Sequence, residues 1–139
     1  YDLRFFQMEI FEYYPQYFTA TILEWKHLLK QDKYKLIITN SLKYLVDNKR
    51  IKLSVYVIMS NHFHLIWQMC PGNDREDVQR NFLKFVGQSI KLDLRENHPN
   101  VLERFKVNLK DREYQIFKRN ALSVDLFTRP VIEQKLDYI

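Results

Sequence analysis

The most constraining feature of the sequence is a pair of adjacent apolar segments in the middle of the chain. Residues 51–58 alternate between apolar and polar types, which places four side chains on one strand face: Ile51, Leu53, Val55 and Val57. Residues 62–69 form a second run, and only Met59-Ser60-Asn61 separates the two. Because alternation with period two is typical of strands and a short break joins antiparallel neighbours, the pattern predicts a β-hairpin.

Signals on both sides of this hairpin predict the remaining elements. Residues 16–23 are rich in aromatic and β-branched types and predict an earlier strand, and 34–47 carry apolar residues at helical spacing. After a turn at 70–74, a second helix is expected to reach 97–99. Its buried stripe is predicted at five positions: Val78, Phe82, Phe85, Ser89 and Leu92.

The last third of the chain has weaker signals. Residues 100–112 predict a short helix followed by an irregular, mobile loop, and 114–117 and 122–127 weakly predict a final strand or strand pair. A closing helix is expected from Thr128, which can cap it. The order strand, helix, strand, strand, helix, strand, helix predicts an α+β fold, with an antiparallel sheet and helices packed on it.

Length and composition limit the class of protein. A chain of 139 residues with 46% hydrophobic residues is expected to form a single domain over 1–139. No apolar run approaches the ~20 residues of a membrane span, and the first residues do not resemble a signal peptide. The single cysteine, Cys70, excludes an internal disulfide and suits a reducing compartment. Together these features lead us to expect a cytoplasmic protein without a membrane partner. The net charge of +5 favours an anionic partner. The chain has only two glycines, too few for a glycine-rich phosphate loop.

His62 and His64 are the sharpest chemical feature of the sequence. Side chains at i and i+2 of a strand point to the same face, about 6.5–7 Å apart along the backbone. Two imidazoles placed in this way can converge on one divalent metal ion. The intervening Phe63, with Trp67, would point into a core. The spacing by itself is more typical of two histidines on a polar sheet face, and the surrounding residues have to decide between the two interpretations.

Two separate motifs resemble a known family. The segment Val57-Ile58-Met59-Ser60-Asn61-His62-Phe63-His64-Leu65-Ile66-Trp67 is similar to the signature strand of the single-tyrosine HUH transposases, and most similar to the REP-associated tyrosine transposases. Near the other end, Phe127 and the segment Val131–Ile139 resemble the helix that bears the nucleophilic tyrosine in that family. The resemblance implies a ferredoxin-like or RRM-like HUH endonuclease domain.

The resemblance also implies a role for each matching position. His62 and His64 would hold Mg²⁺ or Mn²⁺, and Tyr138 would be the catalytic nucleophile. On a closing helix, Ile132 and Leu136 share the buried face and Tyr138 lies at its rim, where a hydroxyl can face a cleft. A tyrosine that merely anchors an amphipathic helix has the same position.

The chain also departs from the family pattern. The third protein ligand of the metal usually lies one turn after the tyrosine, and the sequence stops at Ile139, so we expect a truncated closing helix. Residues 117–121 stand where relatives often carry Trp-Gln and a histidine, which affects part of the expected DNA pocket. Ser60 replaces the usual proline of the turn.

The expected partner is single-stranded or hairpin DNA. Lys118 and Arg119 precede the proposed tyrosine helix, and a stripe of four cations on the second helix could follow a DNA backbone: Arg80, Lys84, Lys91 and Arg95. A solvated basic face is equally compatible with that stripe. Relatives are split between dimers and monomers, so the resemblance leaves a homodimer open.

These features predict a metal-dependent DNA transposase that cleaves and rejoins single strands through a phosphotyrosine. The alternative is a nucleic-acid-binding module of the same fold that does not catalyse, because an antiparallel sheet with helices behind it also serves in RNA-binding domains. A structural zinc site is disfavoured, since one cysteine and two clustered histidines cannot complete it.

Overall fold

The computed structural model describes residues 14–126 together with Asp137. Phe127, Tyr138 and the rest of the predicted closing helix lie outside the described residues. The described elements follow in chain order: β1 (Gln16–Thr21), short 3₁₀ turns at Leu23–Trp25 and Leu28–Lys30, α1 (Asp32–Asp47), β2 (Ile51–Ile58), β3 (His62–Met69), α2 (Arg75–Asn97), α3 (Pro99–Glu103), β4 (Lys106–Leu109), β5 (Arg112–Tyr114) and β6 (Leu122–Asp125).

Four strands form one antiparallel sheet in the order β2-β3-β1-β6. The predicted hairpin is β2 and β3, and β1 inserts beside β3 with Thr19 opposite His64 and Thr21 opposite His62. The predicted α+β class is confirmed, with the helices packed on this sheet. Among residues 14–126, no helix is long and apolar enough to cross a membrane.

The alternation predicted for β2 breaks in the middle of the strand. Leu53 pairs with Trp67, but the register then shifts, and Val55 pairs with Ile66. The prediction that Ile51, Leu53, Val55 and Val57 share one face was therefore wrong. A bulge places one extra residue in one strand, so every later side chain changes face. As a result Val55 joins the face that carries the histidines, which we call the histidine face.

Helices α1 and α2 cover the opposite face, which we call the helix face. Its core contains Phe63, Leu65 and Trp67 of β3 with Tyr34, Ile38 and Leu42 of α1. The buried residues of α2 repeat every four positions: Val78, Phe82, Val86, Ile90 and Leu94. The predicted stripe was therefore wrong beyond Phe82, because Phe85 and Leu92 are exposed. A repeat of four exceeds one turn by about 40°, so the buried line drifts around the helix as α2 crosses the sheet.

The start of α2 follows from local sequence. Gly72 in the preceding turn has φ 89°, a conformation that favours glycine. Asp74 is the N-cap, and its carboxylate accepts a hydrogen bond from the Asp77 backbone N–H at 3.1 Å. Glu76 and Asp77 in the first turn and Arg95 in the last complement the helix dipole.

Residues 104–118 are more regular than the predicted mobile loop. Strands β4 and β5 form a two-stranded hairpin. Phe105 and Ile116 are buried at its base, where the Gln115 backbone N–H donates to the Phe105 carbonyl at 3.0 Å. The expectation of an irregular loop was wrong because these strands are only three or four residues long and carry no apolar period. Tertiary anchoring of two apolar residues orders the segment.

Candidate active site

The two histidines lie side by side on the histidine face. Their ring centroids are 4.7 Å apart and the ring planes meet at 82°. Phe63 between them, and Trp67 beyond, are buried on the helix face. The predicted division of β3 into a histidine face and a core face is confirmed. His64 is only 8% exposed, so its surroundings decide its chemistry.

His64 is held by two hydroxyl groups of β1. Its Nδ1 lies 2.7 Å from Tyr17 Oη and 2.9 Å from Thr19 Oγ1, and its ring stacks on Tyr17 with centroids 5.6 Å apart. These contacts engage Nδ1, so Nε2 is the nitrogen suited to a metal ion. Burial, and secondarily the charge of His62, lowers the pKa of His64. The neutral imidazole, which can ligate a metal, is thereby favoured at neutral pH.

His62 is held by the turn that precedes β3. Its Nδ1 lies 2.6 Å from Asn61 Oδ1. Since an amide oxygen only accepts, Nδ1–H is the donor and Nε2 keeps its lone pair. The backbone carbonyl of Asn61 accepts a hydrogen bond from the Ile22 backbone N–H at 2.9 Å. His62 is thus oriented by a turn that is itself fixed to the end of β1.

Both imidazoles have the arrangement that metal-binding histidines require. Each Nδ1 is engaged by an oxygen atom, which orients the ring. At His62 the Asn61 amide oxygen also selects the tautomer, because it can only accept. Within residues 14–126 and Asp137, no cluster of three or more His, Cys, Asp or Glu side chains is present. The described residues therefore fit a divalent metal as two nitrogen ligands. Mn²⁺ suits this donor set better than Mg²⁺, which demands oxygen ligands.

Sequence reasoning missed the residues that surround the pair. Tyr17 and Thr19 reach His64 only because β1 pairs with β3 in this register, which no local pattern encodes. Trp25 meets His62 edge-on, with centroids 5.9 Å apart and planes at 69°. His27, to which the sequence assigned no role, lies with its Nδ1 2.7 Å from Ser60 Oγ in the turn before Asn61.

Of the predicted DNA-binding residues, Lys118 is brought closest to the histidines. Its backbone N–H donates to the Thr21 carbonyl at 2.8 Å, and Thr21 pairs with His62. The neighbouring Phe117 packs on Phe63 in the helix-face core, with centroids 6.0 Å apart. Lys118 is exposed, so its ammonium is available to a ligand at this end of β1.

The other predicted cations lie elsewhere. Arg119 faces the β4–β5 turn, with its Nη2 4.0 Å from Asp111 Oδ1. The four cations of the α2 stripe belong to the helix layer, across the sheet from the histidine pair: Arg80, Lys84, Lys91 and Arg95. Arg80 is also paired with Asp77. The structure therefore does not bring this stripe together with the histidines.

The proposed nucleophile, Tyr138, lies outside the described residues, and so does Phe127 of the same motif. Its neighbour Asp137 is exposed. The role of Tyr138 therefore stays a prediction.

Comparison with known proteins identifies solved structures with a similar fold. No family model and no curated protein sequence matches the chain. Among solved structures, the chain is similar to a REP-associated tyrosine transposase bound to a REP hairpin, with a TM-score of 0.62 and 15% identity. The match covers 92% of this chain and 65% of the transposase chain.

A second similar structure is a candidate transposase from Deinococcus radiodurans R1, solved at 1.90 Å. It has a TM-score of 0.50 and 13% identity, and the match covers 89% of this chain and 88% of the other. At these identities the likeness shows the fold. The resemblance to tyrosine transposases expected from the sequence is thereby confirmed as a shared fold.

Proposed function

We propose that the protein cleaves and rejoins single-stranded DNA through a transient covalent bond to Tyr138, with a divalent metal ion held by His62 and His64. The observation that carries the proposal is the histidine pair itself. Two imidazoles lie in contact on one sheet face, each with Nδ1 engaged by an oxygen atom, on a fold shared with tyrosine transposases.

The proposed chemistry conserves the number of phosphate ester bonds. The Tyr138 oxygen attacks the scissile phosphorus and loses its proton, and the bond from phosphorus to the 3′ oxygen breaks. That oxygen takes up a proton and leaves as a 3′-hydroxyl. In the second step a 3′-hydroxyl attacks the phosphotyrosine, forms a new phosphodiester and releases the tyrosine. No nucleotide cofactor is needed, because the covalent bond retains the free energy of the broken one.

The residues of the site divide into a nucleophile, two metal ligands and the groups that orient those ligands. A phenol with a pKa near 10 is a weak nucleophile at neutral pH. A divalent metal ion, when bound, withdraws charge from the phosphate oxygens and stabilises the leaving oxygen. His62 and His64 hold it through their Nε2 atoms. Tyr17, Thr19 and Asn61 keep both rings in the required orientation.

The proposed DNA partner follows from charge and from the fold. The net charge is +5, and the exposed Lys118 is joined through its backbone N–H to Thr21, which pairs with His62. Phosphate contacts release counterions, so we expect affinity for single-stranded DNA to fall steeply between low and physiological salt. Neutralising Lys118 should weaken binding to all sequences alike, whereas binding that is insensitive to salt would contradict this footprint.

The decisive experiment is a search for the covalent adduct. A labelled single-stranded oligonucleotide is incubated with the full-length protein and Mn²⁺, and the products are separated on a denaturing gel. We expect an adduct with the wild type and none with Tyr138→Phe. His62→Ala removes a proposed metal ligand and should reduce the adduct by about 100-fold, the upper end of the effect seen for groups that only support such a ligand. Tyr114→Phe is the matched control and should retain the adduct.

Each alternative outcome has a defined meaning. An adduct that persists in Tyr138→Phe but disappears in Tyr114→Phe would assign the nucleophile to Tyr114. Salt-dependent binding without any adduct, in the wild type and with either metal, would contradict catalysis. It would instead support a nucleic-acid-binding module of the same fold.

A further inference from the structure

Trp25 is an exposed indole beside the histidine pair. The chain has two tryptophans, and they differ completely: Trp67 is fully buried in the helix-face core, whereas Trp25 is 54% exposed. The edge-on contact with His62 at 5.9 Å occupies part of the ring. A large aromatic surface is therefore presented to solvent next to the proposed metal ligands.

The backbone holds this ring in an uncommon conformation. Glu24 and Trp25 have φ values of 56° and 57°, in the left-handed region that bulky residues rarely adopt. Such a conformation persists only where the surroundings enforce it, and it concentrates at functional sites.

Contacts on both sides enforce the turn. The Trp25 backbone N–H donates to the Ile22 carbonyl at 2.9 Å, and the Leu23 N–H donates to the Ile116 carbonyl at 2.9 Å. Next to Trp25, the Lys26 ammonium donates to the Arg104 carbonyl and lies 4.8 Å above the Phe105 ring. The indole thus belongs to a segment that hydrogen bonds hold in place, so the segment loses little conformational entropy when a ligand packs on the ring.

We propose that Trp25 is a stacking platform for an unpaired DNA base adjacent to the phosphate at the histidine pair. This inference rests on the proposed function. Because the Trp25 and His62 rings are in contact, a nucleotide whose phosphate reaches the pair has a base within reach of the indole. Lys118 adds an exposed cation next to Thr21, the β1 residue that pairs with His62. An aromatic face beside a cationic path is the usual means of holding a single strand, since every base has a π-face.

The first test uses the fluorescence of the protein itself. The probe is a twelve-residue oligothymidylate strand, added in EDTA so that no cleavage occurs. We expect binding to protect Trp25 from acrylamide quenching, while buried Trp67 contributes an unchanging background. An abasic strand of the same length carries the same phosphates without bases. It should bind more weakly and give no protection.

The second test measures affinity by fluorescence anisotropy of a labelled strand. Trp25→Ala should weaken binding by about 5- to 100-fold, the usual effect of losing one base–aromatic stack. Trp25→Tyr should retain most of the affinity, because it keeps an aromatic face. Tyr44→Ala is the matched control: Tyr44 is 60% exposed on α1, in the helix layer, and its loss should leave affinity unchanged. All three variants should keep the wild-type melting temperature within a few degrees, as exposed positions usually do.

The outcomes separate this inference from the function on which it rests. If Trp25→Ala bound DNA as tightly as the wild type and oligothymidylate gave no protection, the stacking role would be overturned. A covalent adduct in the same protein would still support the proposed function. Absence of both strand binding and the adduct would overturn both. Protection of Trp25 by the abasic strand would assign the contact to the backbone and would also overturn stacking.

Discussion

The two faces of the sheet are formed by the same strands but differ in the side chains that they carry. On the helix face, Phe63, Leu65 and Trp67 pack against α1 and α2 in one extensive core. On the histidine face, the buried apolar cluster contains only Tyr17, Ile66 and Leu126 among the described residues. Beside it lie hydroxyl, amide and imidazole groups. Alternation along β3 sends each successive side chain to one environment or the other.

The contrast shows how a small domain separates stability from chemistry. Helix-face side chains stabilise the fold by removing apolar area from water. One helix-face hydroxyl, that of Tyr34, donates to the Asp93 carboxylate. Histidine-face side chains are arranged by hydrogen bonds whose partners come from β1 and from the turn at Asn61. Substitutions on the helix face should therefore act mainly on stability, and those on the histidine face should also weaken the proposed metal and DNA binding.

The largest expected effect is on the helix face. Phe63→Ala removes a buried ring that contacts Phe18, Phe82 and Phe117, and it should lower the free energy of unfolding by about 3–5 kcal/mol. The neighbouring His62→Ala should change it by less than about 1 kcal/mol, because His62 is only partly buried and lies outside the core. Urea unfolding of both variants measures the difference. Similar losses would contradict the separation of the faces.

A matched pair of tyrosines sharpens the comparison. Tyr17 and Tyr34 both have buried rings, and each hydroxyl lies 2.7 Å from its partner, His64 Nδ1 for Tyr17 and Asp93 Oδ2 for Tyr34. Removing either hydroxyl should cost about 1 kcal/mol of stability. Only Tyr17→Phe should also weaken Mn²⁺ binding, by about tenfold, because it loosens a proposed metal ligand.

Titration calorimetry with Mn²⁺, alongside urea unfolding, compares the two tyrosine variants. Thr19 still contacts His64 in Tyr17→Phe, so binding should be weakened and not abolished. Equal Mn²⁺ affinity in the two variants would mean that the Tyr17 hydroxyl does not orient the site.

The smallest effect concerns acid stability of the helix layer. Lys33, followed by Tyr34, lowers the pKa of Asp93 to about 2 through hydrogen bonds. A carboxyl whose pKa is lower in the folded state contributes stability that is fully present above about pH 4 and is lost as the pH falls through 2. After allowing for solvent screening at this partly exposed site, we expect a loss of about 1 kcal/mol over that range.

Asp93→Asn should remove this part of the acid dependence, since an amide does not titrate in that range. Urea unfolding at intervals between pH 5 and pH 2 measures the slope for both proteins. Parallel slopes would show that the ion pair with Lys33, at 2.8 Å, does not contribute to folding.

The sequence by itself determined every element with a long, regular period. The alternation in 51–69 predicted the β2–β3 hairpin, and helical spacing predicted α1 and α2 close to their observed bounds. The same period placed His62 and His64 together on one face, away from Phe63. Local patterns succeed here because backbone geometry alone decides which side chains share a face.

Only the tertiary structure decided what meets that face. The bulge in β2 moved Val55 and Val57 to the histidine side, and the register of β1 delivered Tyr17 and Thr19 to His64. The strained turn that presents Trp25 and the hairpin at 106–114 depend on contacts between distant segments. Strand register and anchored turns arise from long-range pairing, whose free energy is absent from any short stretch of sequence, so no local pattern could have predicted them.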